Sequence, residues 1–261
     1  MTLSCSSLSD GELARYARHI ILREIGGSGQ QRLKAASVLV VGAGGIGSPA
    51  IQYLAAAGIG RLVLVDNDVV DASNLARQTI YAATDAGAAK VEAAAAAVAR
   101  LNPHVDVVLH RRRIDAANAP ALMAGVDVVL DGSDNFATRL AVADAALAAR
   151  VPLVAASVIQ LEGQLGVFRG WEPEKPCYRC FVGAAPEREG ATCADEGVLG
   201  PVAGMMGSLA ALEVIRALVP FGPEDGWDMA GRLLLVDALA MRFRTLVLPK
   251  DPGCPACQTP A

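Results

Sequence analysis

An uncharged run from Ala35 to Gly60 constrains the fold of this 261-residue chain more than any other feature. The run exceeds the roughly 20 residues that a membrane-spanning helix needs. Its composition favours another structure, because a β-branched segment at 38–41 is followed by a glycine cluster and then by a stretch with helical character. We therefore predict a buried strand, a tight turn and a helix, and no membrane span.

Continuous apolar runs alternate with helical patterns along the first 157 residues. Such runs are typical of strands that are covered on both faces, and their alternation with helices predicts a Rossmann-like, doubly wound α/β fold with a mostly parallel sheet. The predicted strands are 38–41, 62–65, 105–109, 126–130 and 153–156, and the predicted helices are 46–57, 87–100 and 135–149.

The two ends of the chain carry different patterns. Ser9 and Glu12 form a capping box, which predicts a first helix from Ser9 to about Ile25. After residue 160 the sequence becomes rich in Gly, Pro, Glu and Cys. There we predict an antiparallel strand at 164–168, a helix at 202–219 and closing strands at 233–237 and 243–248.

Composition and charge exclude some classes of function. Hydrophobic residues make up 53% of the chain and charged residues 19%, which excludes a disordered protein. The net charge is −4, so we predict no nucleic-acid partner, and we interpret the basic run 111–113 as a solvated strand end. No Lys or Arg precedes an apolar run at the N-terminus, which favours a cytoplasmic protein with reduced cysteines.

The glycine cluster matches the pattern G-x-G-x-x-G, directly after a strand and at the start of a helix. Its glycines are Gly42, Gly44, Gly45 and Gly47. Asp66 ends the next predicted strand about 20 residues later, where a carboxylate can accept ribose hydroxyls. These features predict a bound adenine nucleotide. Taken alone they also fit an NAD-dependent dehydrogenase, which is one alternative function.

The segment after Asp66 indicates a triphosphate. Cleavage of a triphosphate concentrates negative charge on the leaving pyrophosphate, so the site requires cationic side chains that a dinucleotide site does not. The segment and the following helix supply carboxylate, hydroxyl, amide and cationic groups at Asp68, Ser73, Asn74, Arg77, Gln78 and Lys90.

The chain resembles the MoeB/ThiF family of ubiquitin-activating-like adenylyltransferases over nearly its whole length. Besides the glycine turn, the D-x-D and S-N-L-x-R-Q segments and Lys90, the matching motifs are Arg15-Tyr16-x-Arg18, Asp131-Gly-Ser-Asp134-Asn135, Glu162-Gly163-Gln164, Cys177-Tyr-Arg-Cys180, Thr192-Cys193 and Gly197-Val-Leu-Gly-Pro201. Their order and spacing together are specific.

The resemblance implies roles for these residues. The glycine turn, Asp66 and the segment up to Gln78 would bind ATP, and Arg77 and Lys90 would contact its phosphates. Asp134 would hold magnesium with Asn135 beside it, although Asp134-Asn135 also fits a helix N-cap. Arg18 would reach across a homodimer into the partner's phosphate site, although an exposed helix charge is an equal alternative.

The implied reaction is adenylylation of the C-terminal glycine of a small ubiquitin-fold sulfur carrier that ends in Gly-Gly. The resemblance favours the small subunit of molybdopterin synthase as carrier, with the thiamin-pathway carrier as alternative. An inactive subunit that only binds a carrier is a further alternative. Since the sequence ends four residues after Cys257, we expect sulfur to come from a separate donor protein.

Six cysteines remain to be assigned, of which Cys5, near the N-terminus, is interpreted as incidental. Cys177-x-x-Cys180 and Cys254-x-x-Cys257 form two pairs, which together predict a closed, structural zinc site. Cys193 corresponds to a position that bonds sulfur in ThiF-like relatives, and we consider it a possible reactive thiol. Several acidic neighbours would raise the pKa of such a thiol and count against a required catalytic role.

These assignments predict one domain over 1–261. It would comprise an N-terminal helical segment (1–35), a nucleotide-binding half (36–157) and a half that binds the carrier and zinc (158–261).

Overall fold

The computed structural model of the chain describes residues 7–183, 197–222 and 229–258. Its strands are β1 (Ser37–Val41), β2 (Arg61–Val65), β3 (Asp106–His110), β4 (Val128–Asp131), β5 (Leu153–Ile159), β6 (Glu162–Phe168), β7 (Arg232–Asp237) and β8 (Arg242–Val247). Its helices are α1 (Asp10–Ile20), α2 (Gly26–Ala35), α3 (Gly47–Ala57), α4 (Lys90–Leu101), α5 (Ala119–Leu122), α6 (Phe136–Ala149), α7 (Tyr178–Val182) and α8 (Gly200–Leu218).

All the described strands form one sheet in the order β3-β2-β1-β4-β5-β6-β7-β8. Strands β3, β2, β1, β4 and β5 pair in parallel, and β6, β7 and β8 continue the sheet in antiparallel pairs. The sequence-based prediction of a mostly parallel, Rossmann-like sheet with antiparallel additions in the second half is therefore confirmed.

The core has two layers, one on each face of the sheet. Alternate residues of a strand point to opposite faces, so Val38 and Val40 pack with one set of helices and Leu39 and Val41 with the other. The first layer includes buried residues of α3, α4 and α8, and the second includes those of α5, α6 and α7. Burial on both faces explains why the strands are apolar without interruption.

The N-terminal segment differs from its prediction in one respect. The capping box is present, since Glu12 N–H and Ser9 Oγ are 3.3 Å apart and the Glu12 carboxylate accepts from Ser9 N–H at 2.8 Å. However, α1 ends at Ile20, and a separate helix, α2, begins at Gly26. Burial of Gln30, whose Nε2 donates to the Ala57 carbonyl at 2.7 Å, anchors α2 to the end of α3.

Helix α8 is the one helix of the described residues that is long and apolar enough to cross a membrane. Length and composition alone are weak grounds for a membrane span, because a core helix passes the same test. Val202, Met206, Ala210 and Val214 of α8 are buried in the first core layer with residues of the sheet. The helix therefore contributes its apolar side to the core of the domain.

Candidate active site

A cleft of about 560 Å³ lies at the carboxyl ends of the parallel strands. Strand order reverses between β1 and β4, and open α/β sheets bind ligands at such a switch point. The predicted site residues that line the cleft are Gly42, Gly44, Gly45, Asp66, Asp68, Asn74, Arg77, Gln78, Lys90, Asp134 and Asn135. The structure thus brings most of the predicted nucleotide site together.

The glycine turn joins β1 to α3 and needs its small residues for backbone contact. Gly42 has a φ of +83°, and a Cβ there would lie 3.2 Å from the carbonyl oxygen of Gly132. A Cβ on Gly47 would lie 1.8 Å from the carbonyl oxygen of Gly42, so Gly47 closes the turn instead of lining the cleft. The turn leaves the positive end of α3 facing the cleft, as phosphate binding requires.

Asp66 and Tyr81 hold the glycine turn from two sides. One carboxylate oxygen of Asp66 accepts from Ala43 N–H at 2.8 Å, and the other accepts from Asp68 N–H at 2.8 Å. The buried Tyr81 hydroxyl donates to the Ala43 carbonyl at 2.8 Å. Burial, and then the Asp66 charge, raise the pKa of Tyr81, which keeps this donor protonated. No sequence motif marked Tyr81.

Asn74 organises the cationic side of the cleft. Its Oδ1 accepts from an Arg77 guanidinium nitrogen at 3.0 Å and from Gln78 Nε2 at 2.7 Å. The Oε1 atom of Gln78 is buried without a hydrogen-bond partner in the described part of the chain. Ser73 does not line the cleft; its hydroxyl donates to Asp71 at 2.6 Å, and Asp71 caps a short turn by accepting from Ser73 N–H at 2.8 Å. Its contact with the nucleotide stays a prediction.

The loop after β4 supplies Asp134 and Asn135. Asn135 caps α6, since its Oδ1 accepts from Thr138 N–H at 2.9 Å, so the N-cap alternative is confirmed for this residue. Asp134 lines the cleft and is exposed, which leaves its carboxylate accessible to a ligand. Arg139 of α6 donates to the carbonyls of Ser133 and of Ala156, the latter at 2.9 Å, and so ties the loop to β5.

Arginines outside the predicted motifs also line the cleft. Arg112 and Arg113 are exposed, as the sequence predicted, yet both lie on the cleft wall after β3. Arg139 lines the cleft as well. Arg18 lies exposed on α1 and does not line the cleft of its own chain, so its predicted action across a dimer stays a prediction.

The four cysteines of the two C-x-x-C pairs converge between α7 and the C-terminal residues. Their Sγ atoms all lie within 4.8 Å of one another, with separations of 3.7 Å (Cys177–Cys180), 3.6 Å (Cys177–Cys254) and 3.4 Å (Cys180–Cys257). Four ligands at about 2.3 Å around zinc stand about 3.8 Å apart, so the donor set fits a tetrahedral zinc ion.

The surroundings of this cluster hold its two halves in place. Arg179 between the first two cysteines makes a bidentate pair with Asp144 of α6, at 2.7 Å for both contacts. Lys250 donates to the carbonyls of Gly170 and Glu172 at 2.8 and 2.9 Å. Burial raises the pKa of Cys257 to about 11, and a bound metal would reverse this by stabilising the thiolate. Cys193 lies outside the described residues.

The fold and the cleft define a nucleotide-binding α/β protein with a four-cysteine cluster. The ThiF family model matches residues 16–256, and the chain belongs to the ThiF family.

Three curated relatives illustrate the range of the family. The molybdopterin-synthase adenylyltransferase of Escherichia coli is 42% identical over 252 residues, which cover 97% of this chain and 99% of that protein. The SAMP-activating enzyme E1 of Haloferax volcanii is 45% identical, covering 98% and 92%. The adenylyltransferase and sulfurtransferase MOCS3 of Bos taurus is 50% identical, but the chain spans only 54% of its length.

Solved structures support the fold independently. E. coli MccB bound to MccA-N7isoASN superposes with a TM-score of 0.80 at 22% identity, covering 93% of this chain and 74% of MccB. A structure of PaaA gives a TM-score of 0.77, also at 22% identity, covering 94% and 76%. At this identity the likeness shows a shared fold.

Proposed function

We propose that the protein is an ATP-dependent adenylyltransferase that activates the C-terminal glycine of a small ubiquitin-fold sulfur carrier. The observation that carries this proposal is the cleft, which combines a phosphate-binding glycine turn with Arg77, Lys90 and an exposed Asp134. The names of two relatives that match this chain over nearly their full length, a molybdopterin-synthase adenylyltransferase and a SAMP-activating E1, support the same reaction class.

The reaction needs positioning and charge stabilisation more than proton transfer. The ionised glycine carboxylate of the carrier attacks the α-phosphorus of ATP, and the bond to the bridging oxygen of the β-phosphate breaks. An acyl-adenylate and pyrophosphate result. Arg77 and Lys90 would stabilise the charge that develops on the pyrophosphate, and the amide groups of the glycine turn would orient the nucleotide.

The cleft also offers groups that suit a nucleotide and a hard metal ion. Gln78 Oε1 and Ser133 Oγ are buried at the cleft without partners in the described chain, and a ligand could satisfy them. Asp134 would hold magnesium, which supplies charge neutralisation on the phosphates when bound. The four-cysteine cluster would hold zinc in a structural role, because all four positions are protein thiolates.

The partners follow from the proposed reaction. We propose the small subunit of molybdopterin synthase as the carrier, consistent with the name of the E. coli relative, and a separate protein as the sulfur donor. The proposed assembly is a cytoplasmic homodimer in which Arg18 of one subunit reaches the phosphate site of the other. Cys193 is proposed only as a possible reactive thiol.

Carrier-dependent exchange of labelled pyrophosphate into ATP tests the proposal. We expect exchange with a Gly-Gly-terminated carrier and none without a carrier, and we expect Asp134→Ala to lose it. Asp106→Ala is the matched control, since it removes an exposed carboxylate at the amino end of β3, away from the cleft.

The outcomes separate the alternatives. No exchange with either candidate carrier would refute the adenylyltransferase and support the inactive carrier-binding subunit. Exchange with only the thiamin-pathway carrier would reassign the substrate. Full exchange by Asp134→Ala would refute its assignment to magnesium. Absorbance of a bound or reduced nicotinamide in the purified protein would favour a dehydrogenase.

A further inference from the structure

The ammonium group of Lys90 occupies an electrostatically costly position in the cleft. The Lys90 side chain is only 7% exposed, and Lys90 is the first residue of α4. Burial removes hydration from the charge, and the amino end of a helix carries partial positive charge that repels it. A cation in this position requires a negative partner.

Asp68 provides that partner. Its Oδ2 lies 2.9 Å from Lys90 Nζ, and across residues 7–183, 197–222 and 229–258 the structure shows no other hydrogen bond or ion pair of this ammonium. The exposure of the two side chains is unequal, because Asp68 is 59% exposed while Lys90 is buried. The carboxylate therefore stands at the rim, and the amine lies behind it in the cleft wall.

The backbone fixes the two residues opposite one another. Lys90 N–H donates to the Asp68 carbonyl at 3.0 Å, and Val70 N–H donates to the Ala88 carbonyl at 2.8 Å, on either side of an antiparallel bridge between Val69 and Ala89. Asp68 N–H in turn donates to Asp66, which also holds the glycine turn. The ion pair thus connects the amino end of α4 to the glycine turn through Asp66.

We propose that Asp68 is a positioning residue that acts on the nucleotide through Lys90. The inference deepens the proposed function and rests on it. An ammonium has three donors, so Lys90 can keep its bond to Asp68 while it donates to a phosphate oxygen. A carboxylate that touched the triphosphate directly would repel it, whereas a carboxylate that holds the lysine places the cation for the transition state.

A double-mutant cycle tests this role. Four proteins are compared in carrier-dependent pyrophosphate exchange: the unmodified chain, Asp68→Asn, Lys90→Met and the double variant. We expect Asp68→Asn to lower kcat by about tenfold or more, with a change in KM for ATP below about threefold. In the Lys90→Met background, the same change should alter kcat by less than about twofold, because the group it positions is gone.

Further variants keep the result interpretable. Asp68→Glu retains the charge and should recover most of the kcat lost in Asp68→Asn. Asp106→Asn, which removes the carboxylate of a surface pair with Arg61, serves as the matched control and should leave kcat unchanged. If thermal melting shows that Asp68→Asn is unfolded, Asp68→Ala repeats the cycle.

Two results would overturn the proposal. If Asp68→Asn lowered kcat/KM equally in the unmodified and Lys90→Met proteins, mainly through a higher KM for ATP, Asp68 would contact the nucleotide itself. An unchanged kcat in Asp68→Asn would show that the pair does not matter for the reaction. Failure of the proposed function is distinguishable, since it would appear as absent exchange in the unmodified protein. Binding of a non-hydrolysable ATP analogue to the same four proteins would then test the coupling alone.

Discussion

Strands β1 and β8 belong to one sheet but differ completely in burial. Every residue of β1 is buried, between helices that cover both faces. Every residue of β8 is exposed, and this strand pairs only with β7 in the described sheet. Strand β1 therefore lies at the centre of the core, which helices and strands from both parts of the chain build, whereas the last strand and the cysteines after it are held by edge pairing and by the four-cysteine cluster. Changes in the two regions should have separable effects.

The largest expected effect comes from the cleft. Arg77→Ala should lower carrier-dependent pyrophosphate exchange by about 10²- to 10³-fold, because a donor aimed at developing charge is lost. Zinc content and melting temperature should not change, since the removed guanidinium contacts only Ser73 and Asn74 among the described residues. Arg61→Ala, which removes a surface guanidinium at the start of β2, is the control. A parallel loss of zinc would contradict the separation.

A change in the cysteine cluster should have the opposite effect: zinc content and stability should fall, while nucleotide binding should not change. Cys254→Ser should reduce zinc, measured by atomic emission on gently purified protein, from about one ion per chain to a small fraction, because structural zinc needs four ligands. The free energy of unfolding should fall by about 4 kcal/mol, comparable to the entropy that a long cross-linked loop removes from the unfolded chain.

Affinity for an ATP analogue should stay within about twofold in Cys254→Ser, since binding sites without shared contacts behave additively. Cys5→Ser, which removes a cysteine that belongs to neither C-x-x-C pair, is the matched control. Full zinc retention in Cys254→Ser would exclude four-cysteine ligation.

A smaller effect is expected behind the glycine turn. Tyr81→Phe removes the buried hydroxyl that donates to the Ala43 carbonyl and leaves that acceptor unsatisfied. Urea denaturation should show a loss of about 1–3 kcal/mol in the free energy of unfolding. Zinc content should remain that of the unmodified protein. An unchanged stability would mean that another group satisfies the carbonyl.

The smallest effect concerns acid stability of the N-terminal helix. Burial alone would raise the pKa of Glu12, but hydrogen bonds from Lys34 and Ser9 outweigh it and lower this pKa from 4.5 to about 2. A carboxyl whose pKa is lower in the folded state stabilises the fold above its unfolded pKa, and this contribution is lost as the pH falls from about 4.5 to about 2.

Glu12→Gln should therefore show a weaker loss of unfolding free energy than the unmodified chain between about pH 6 and pH 3. Asp10→Asn, which removes a neighbouring exposed carboxylate, is the control. Identical pH profiles for Glu12→Gln and the unmodified chain would contradict the role of Glu12.

The parallel half was predictable because its signals are local. The uninterrupted apolar runs of β1 and β2 and the glycines between β1 and α3 each dictate one element with little outside help. Helix α2 was not predicted as a separate helix because Gly26, Gly27 and Gly29 disfavour a helix, and burial of Gln30 against the end of α3 and of Leu33 in the core compensates. Such a contact depends on the tertiary fold and leaves no periodic pattern.

The site residues that belong to sequence motifs were predictable. The site residues that only the tertiary fold brings to the cleft were not. Asp66, Arg77 and Lys90 were identified from their order along the chain, and they line one cleft. Tyr81 donates to the backbone carbonyl of Ala43, and Arg139 donates to those of Ser133 and Ala156; a backbone carbonyl carries no sequence signal. Arg112 reaches the cleft because β3 ends beside β2, which spacing alone does not reveal.

The four-thiol cluster also imposes an order on biosynthesis. Cys177 and Cys180 leave the ribosome long before Cys254 and Cys257, while all strands of the parallel half precede them in the chain. Domains generally acquire structure from the amino end during translation. The parallel half can thus fold while only two of these thiols exist, and a metal at the cluster could join all four only after residue 257 has been added. If the cluster binds zinc as proposed, metal capture is therefore among the last steps in the maturation of this protein.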